Sequence, residues 1–142
     1  MNSQFESLEI RRLLSATSYT QQDLVSDTAT AAARIDARLK NPWGLAVGPN
    51  GIEVADNGTG LGTMYDSTGR NVVGTVRVPG PGDDEGAPTG VVFNGNSSKF
   101  IIPGTSTSAR FIFVTENGTV NAWSGVKADK TAPVVFDRSA DG

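Results

Sequence analysis

The chain has 142 residues, with 12 Lys and Arg against 15 Asp and Glu, a net charge of −3, and 37% hydrophobic residues. This is the composition of one folded globular unit, and nothing in the charge balance points to nucleic acid. The absence of Cys removes disulfides, thiol nucleophiles and Cys-based metal sites, and the absence of His removes the Ser–His triad and the commonest metal ligand. No apolar run is long enough for a transmembrane helix.

All 17 Gly and all 7 Pro lie at or beyond Pro42, so a turn-free leader precedes a turn-dense body. Residues 1–19 are read as a leader, sorting-like or disordered. Residues 20–41 lead into the body. There Thr20–Ser26 reads as one strand or an extended segment, and residues 28–40 (TATAAARIDARLK) as a short helix. Thr28 or Thr30 would cap that helix, and Asn41-Pro42 would stop it, because Pro biases its predecessor away from helical backbone.

The body contains four Asn-Gly pairs: Asn50-Gly51, Asn57-Gly58, Asn94-Gly95 and Asn117-Gly118. Asn-Gly between apolar stretches predicts a hairpin, since both residues accept the positive φ of a type I′ turn. The strands predicted in chain order are Gly44–Val47, Ile52–Ala55, Gly62–Asp66, Val72–Val78, Gly90–Phe93, Phe100–Ile102, Arg110–Glu116, Thr119–Ser124 and Val134–Phe136. In the seventh, Phe111, Phe113 and Thr115 point one way and Ile112, Val114 and Glu116 the other. Its apolar run predicts burial on both faces. Strands at this spacing indicate an all-β sandwich, barrel or propeller.

An internal repeat favours the propeller. Pro42-Trp43-Gly44-Leu45-Ala46-Val47 and Pro88-Thr89-Gly90-Val91-Val92-Phe93 share Pro-x-Gly and three apolar residues, at an offset of 46. A period of about 40–50 residues with four strands per unit is the propeller pattern. The expected fold is therefore an open, partial β-propeller of about two four-stranded blades, residues 42–87 and 88–142, the second running into the start of the next. Two blades cannot close a ring. Truncation of a longer propeller, assembly of copies, or a compact two-sheet sandwich would each answer that. An isolated fragment is expected to self-associate through its open faces.

Asp23–Asp27, Asn41–Ala46, Val54–Gly60, Pro88–Asn94 and Phe111–Gly118 together resemble an uncharacterised family of bacterial extracytoplasmic propellers of the NHL-repeat type, associated with PEP-CTERM sorting. Phe5–Ala16 resembles the Leu-Glu-Pro-Arg-x-Leu-Leu sorting motif of planctomycete-like surface proteins, with Ile10 in place of Pro. The resemblance implies an extracellular or cell-surface location and supplies no reaction.

Candidate chemistry is sparse. Asp56-Asn57-Gly58-Thr59-Gly60 offers a carboxylate and backbone groups to a cation or anion, or simply a turn. Asp83-Asp84-Glu85 reads as a solvated loop, because adjacent acidic side chains rarely converge on one ion. Glu53, Asp56, Asp66 and Glu116 could supply a carboxylate pair, which would need a defined separation across a cleft. Trp43 and Trp123 suit packing between blades or stacking on a ligand. Asn57, Asn96 and Asn117 begin Asn-x-Ser/Thr sequons and are read as turns. The expected function is a non-catalytic binding or scaffold module for protein or carbohydrate, with Asp56, Asn57, Asn94 and Glu116 as ligand-binding residues. No catalytic residue, metal ligand or cofactor is assigned. The alternative is a propeller-type hydrolase or lactonase with an oxygen-ligated divalent ion, calcium for example, in the central channel.

Overall fold

A computed structural model describes residues 20–29 and 32–141. The leader 1–19, with its sorting-like motif, and the proposed cap Thr30 lie outside the described residues. The fold is all-β, built mainly from two four-stranded antiparallel sheets, each a simple meander. The first contains β3 (Pro42–Gly48), β4 (Gly51–Asp56), β5 (Leu61–Tyr65) and β6 (Asn71–Arg77), in that order. The second contains β7 (Pro88–Phe93), β8 (Phe111–Thr115), β9 (Thr119–Trp123) and β10 (Val134–Asp137). Ahead of them, β1 (Val25–Ser26) and β2 (Arg34–Ile35) form a short parallel pair.

The helix expected over 28–40 is not formed in the described part of that segment. Its backbone bonds go to an extended neighbour instead: the amides of Ala33, Arg34 and Asp36 donate to the carbonyls of Asp23, Leu24 and Ser26. A helix this short is marginal without a packed face, and pairing with residues 23–26 satisfies the same groups. Phe100–Ile102 is not a strand either. It sits in the 94–110 connection, with one isolated bridge from Ile101 to Ser108.

The turns work differently from the type I′ expectation. Among the described residues, the only non-glycine residues with positive φ are Asn41, Asp83 and Phe100, so no Asn of the four pairs adopts it. In the β8–β9 hairpin Gly118 alone takes it (φ 86), and its amide bonds the Thr115 carbonyl. This is the three-residue loop, with glycine at the left-handed position. The β5–β6 turn is held by Asp66, whose Oδ1 accepts from the Thr68 amide, the Thr68 hydroxyl and the Arg70 amide. Those bonds hold its carboxyl well below the usual range.

The core lies between the two sheets. Strand pleating puts Ala46, Glu53, Ala55, Met64 and Val76 on one face of the first sheet. Val91, Phe111, Phe113, Asn121 and Trp123 share one face of the second. The apolar members of both sets form one buried cluster, in which Phe111 stacks on Trp123 at 5.8 Å between ring centroids. Closest approach is between the first strands, where a Cβ added to Gly44 would lie 2.8 Å from the Gly90 Cα. At the outer edge, the Arg77 amide donates to the Lys130 carbonyl and the Ala132 amide to the Arg77 carbonyl, so β6 is bound by the approach to β10. Buried Asn121 completes the join, donating to the carbonyls of Pro79 (2.8 Å) and Ala132 (3.0 Å).

Strand β8 is therefore fully buried on the face toward the first sheet and only partly covered on the other, where Ile112 packs against a smaller cluster of Ile102, Ala109 and Ala122. Phe111, Phe113 and Thr115 are enclosed, whereas Val114 is exposed on the other face. The outer face of the first sheet is also open along β3, where Trp43, Leu45 and Val47 are exposed.

Candidate functional site

The two sheets present corresponding strand ends side by side. Pro42 pairs with Asp56 and Pro88 with Thr115, so Asn57 and Glu116 occupy equivalent positions just past β4 and β8. Asn57 opens a 3-10 turn, Asn57–Thr59, that ends at Gly60 in the left-handed region. Its Nδ2 donates to the Glu116 Oε1 at 3.3 Å, and its Oδ1 accepts from the Asn41 Nδ2 at 3.1 Å. The neighbouring turn is fastened by the Ala87 amide, which donates to the Asn117 Oδ1 at 2.7 Å. The result is an exposed row, Asn41–Asn57–Glu116, crossing from one sheet to the other. It offers donors and acceptors of the kind that sugar hydroxyls and peptide groups match.

Two of the four residues picked from the sequence are thus brought together, and two are not. Asp56 is fully buried, facing away from the second sheet. Its Oδ2 accepts from the Thr63 hydroxyl at 2.7 Å, while Oδ1 has no partner among the described residues. Burial raises its pKa to about 7, opposed by the Thr63 bond. Asn94 lies at the far end of β7. Its Nδ2 donates to the carbonyls of Ala109 (2.9 Å) and Lys99 (3.1 Å), and its Oδ1 accepts from the Asn96 amide. Its amide is consumed in shaping the 94–110 connection.

The remaining carboxylates do not form a pair across a cleft. Glu53 and Asp56 project from opposite faces of β4, Asp66 serves its turn, and Glu116 belongs to the exposed row. Glu53 is the more unusual. It is fully buried between the sheets, with neither oxygen hydrogen-bonded among the described residues, and its Oε1 lies against Gly62 beside the Phe113 ring. Burial, with a smaller contribution from the Asp56 charge, raises its pKa to about 8.

Other residues fall where their chemistry is structural. Asp83 pairs with Arg77 at 2.5 Å, and Asp84 and Glu85 stay on the exposed loop. Trp123 is in the core, donating from Nε1 to the Asp129 carbonyl, while Trp43 is exposed. A second polar cluster was not read from the sequence. Arg38 grips Asp36 through both oxygens (2.7 and 2.8 Å), and the Tyr65 hydroxyl donates to the Asp36 Oδ2 at 3.0 Å. Arg38 holds the Asp36 carboxyl below its ordinary pKa. The Asp-x-Arg spacing was its only local signal. Asn41, read as a helix stop and as the start of the stretch Asn41–Ala46, carries no sequence mark of its place in the row. Among the described residues no group of three or more acidic side chains is arranged to hold a metal ion, and no helix is long and apolar enough to cross a membrane.

The chain is similar to two uncharacterised proteins of Acanthamoeba polyphaga mimivirus. One is 33% identical over 102 residues, which is 71% of this chain and 26% of that protein. The other is 28% identical over 120 residues, 84% of this chain and 32% of that protein. The chain thus spans about a quarter to a third of these curated relatives. No family model matches, and no solved structure matches. These relatives are viral. They correct the resemblance to bacterial extracytoplasmic propellers and to planctomycete-like sorting motifs. The extracellular location, implied by that resemblance, loses its support.

Proposed function

We propose that the chain is a non-catalytic binding or scaffold module, two successive blades of a propeller-like stack. Protein or carbohydrate would dock on the end carrying Asn41, Asn57 and Glu116. The observation behind this reading is the direct contact of Asn57 and Glu116 at equivalent positions of two stacked sheets. Stacked repeats align their loops on shared ends, which makes such ends recurrent binding surfaces. The buried polar groups serve the interior instead, since Asp56 and Glu53 are sealed from solvent.

A propeller-type hydrolase built around an oxygen-ligated metal is the competing reading. The test is to treat the chain with EDTA, add calcium, and follow the melting temperature. The scaffold reading expects no shift. A saturable rise of several degrees, abolished by Glu116→Gln, would overturn it in favour of a metal site.

A further inference from the structure

The two open faces correspond, position by position, to the two faces that are already packed together. In the repeat register Leu45 corresponds to Val91, Ala46 to Val92 and Ala55 to Val114. Val91 is 7% exposed inside the interface, whereas Leu45 is 70% exposed on the outer face of the first sheet. Ala46 (8%) and Ala55 (0%) are enclosed, whereas Val92 (58%) and Val114 (45%) are exposed on the outer face of the second sheet. Each open strip thus has the position and apolar character of one half of the existing contact.

The glycines repeat the pattern. Gly44 permits the approach of β7, since an added Cβ would strike the Gly90 backbone. Gly90 leaves the same gap on its own open side, where an added Cβ would meet only the Val114 Cγ2, at 3.0 Å. The 94–110 connection covers Ile112 and Ala122 at one end of that face but leaves Gly90, Val92 and Val114 clear. The first sheet's open strip lines an apolar groove of about 480 Å³, with Leu24, Trp43, Leu45, Ile52 and Val54 in its walls. Paired surfaces of this kind define a heterologous contact, in which one face receives the other rather than itself.

We infer that copies of this chain associate head to tail, the Gly90–Val92–Val114 strip of one packing on the Trp43–Leu45–Val47 strip of the next. The inference shares the stacking reading above but not its ligand surface, so its failure would leave the calcium test untouched. Sedimentation and size-exclusion measurements from low to high micromolar concentration test it. The wild-type chain is expected to shift from monomer to larger species. Leu45→Lys and Val92→Lys each remove one face at an exposed site, so each alone is expected to stay monomeric while melting cooperatively. Mixed, they retain one complementary pair of faces and should give a 1:1 dimer and nothing larger. Gly90→Ala should weaken association without unfolding the chain. A wild-type chain that remains monomeric at high micromolar concentration would overturn the inference. So would self-association of either lysine variant alone, which would mean like faces meeting.

Discussion

Glu53 is a carboxylic acid in a place that the repeat fills with hydrocarbon. The equivalent position of the second sheet holds Ile112. With both oxygens unpartnered, Glu53 is held neutral in the fold, and its proton leaves at about pH 8 rather than at the ordinary 4.5. Between those values the folded chain binds a proton that the unfolded chain has released. Stability therefore falls as pH rises through that window and levels off above it. Asp56 adds a slope of the same sign between 3.8 and about 7. Glu53→Met keeps the unbranched length and removes the stranded oxygens, so it should stabilise the chain by roughly 1–3 kcal/mol at pH 8 and less at pH 5. Thermal melts of both proteins across pH 4.5–8.5, within about a unit of that window, would check this. A parallel pH slope in the variant would count against Glu53 as the source.

At the scale of elements, the contact between β3 and β7 depends on glycine asymmetrically. Gly44→Ala puts a methyl group against backbone that cannot turn aside, and should cost about 1–3 kcal/mol. Gly90→Ala meets only a side-chain methyl and should cost well under that. Urea denaturation of the pair would separate them, and equal losses would contradict the geometry. These two strands were legible in the sequence because alternation, Pro-x-Gly and flanking turn residues all agree locally. The pairing of residues 33–36 with residues 23–26 was not, because helix propensity describes a segment bonding to itself and is blind to an extended neighbour that takes the same amides. The candidate site divides in the same way. Asn57 stood out in an Asn-Gly turn and Glu116 as the last residue of a predicted strand, but their meeting depends on how two sheets stack, which residues 58–115 between them conceal. Asn94 looked equivalent in its Asn-Gly pair, yet its amide was taken by a connection whose fold no short pattern describes.

For the molecule as a whole, the two sheets are one cooperative body, because each satisfies the other's backbone. Asn121→Ala would leave the Ala132 carbonyl without its buried side-chain donor and the Pro79 carbonyl with only the longer bond from the Thr119 hydroxyl (3.4 Å), at a cost of about 1–3 kcal/mol. Trp123, enclosed between the sheets, reports the contact by fluorescence, while circular dichroism reports all strands. The two signals should change together in urea for both proteins, with the variant's midpoint lower. Separated transitions would show that the sheets unfold independently. The join also imposes an order on synthesis. A nascent chain that has released β3–β6 still lacks the side chain that answers the Pro79 carbonyl and the aromatic rings that cap its inner surface. The first sheet thus leaves the ribosome incomplete, and remains so until residues 121–132 have followed it out.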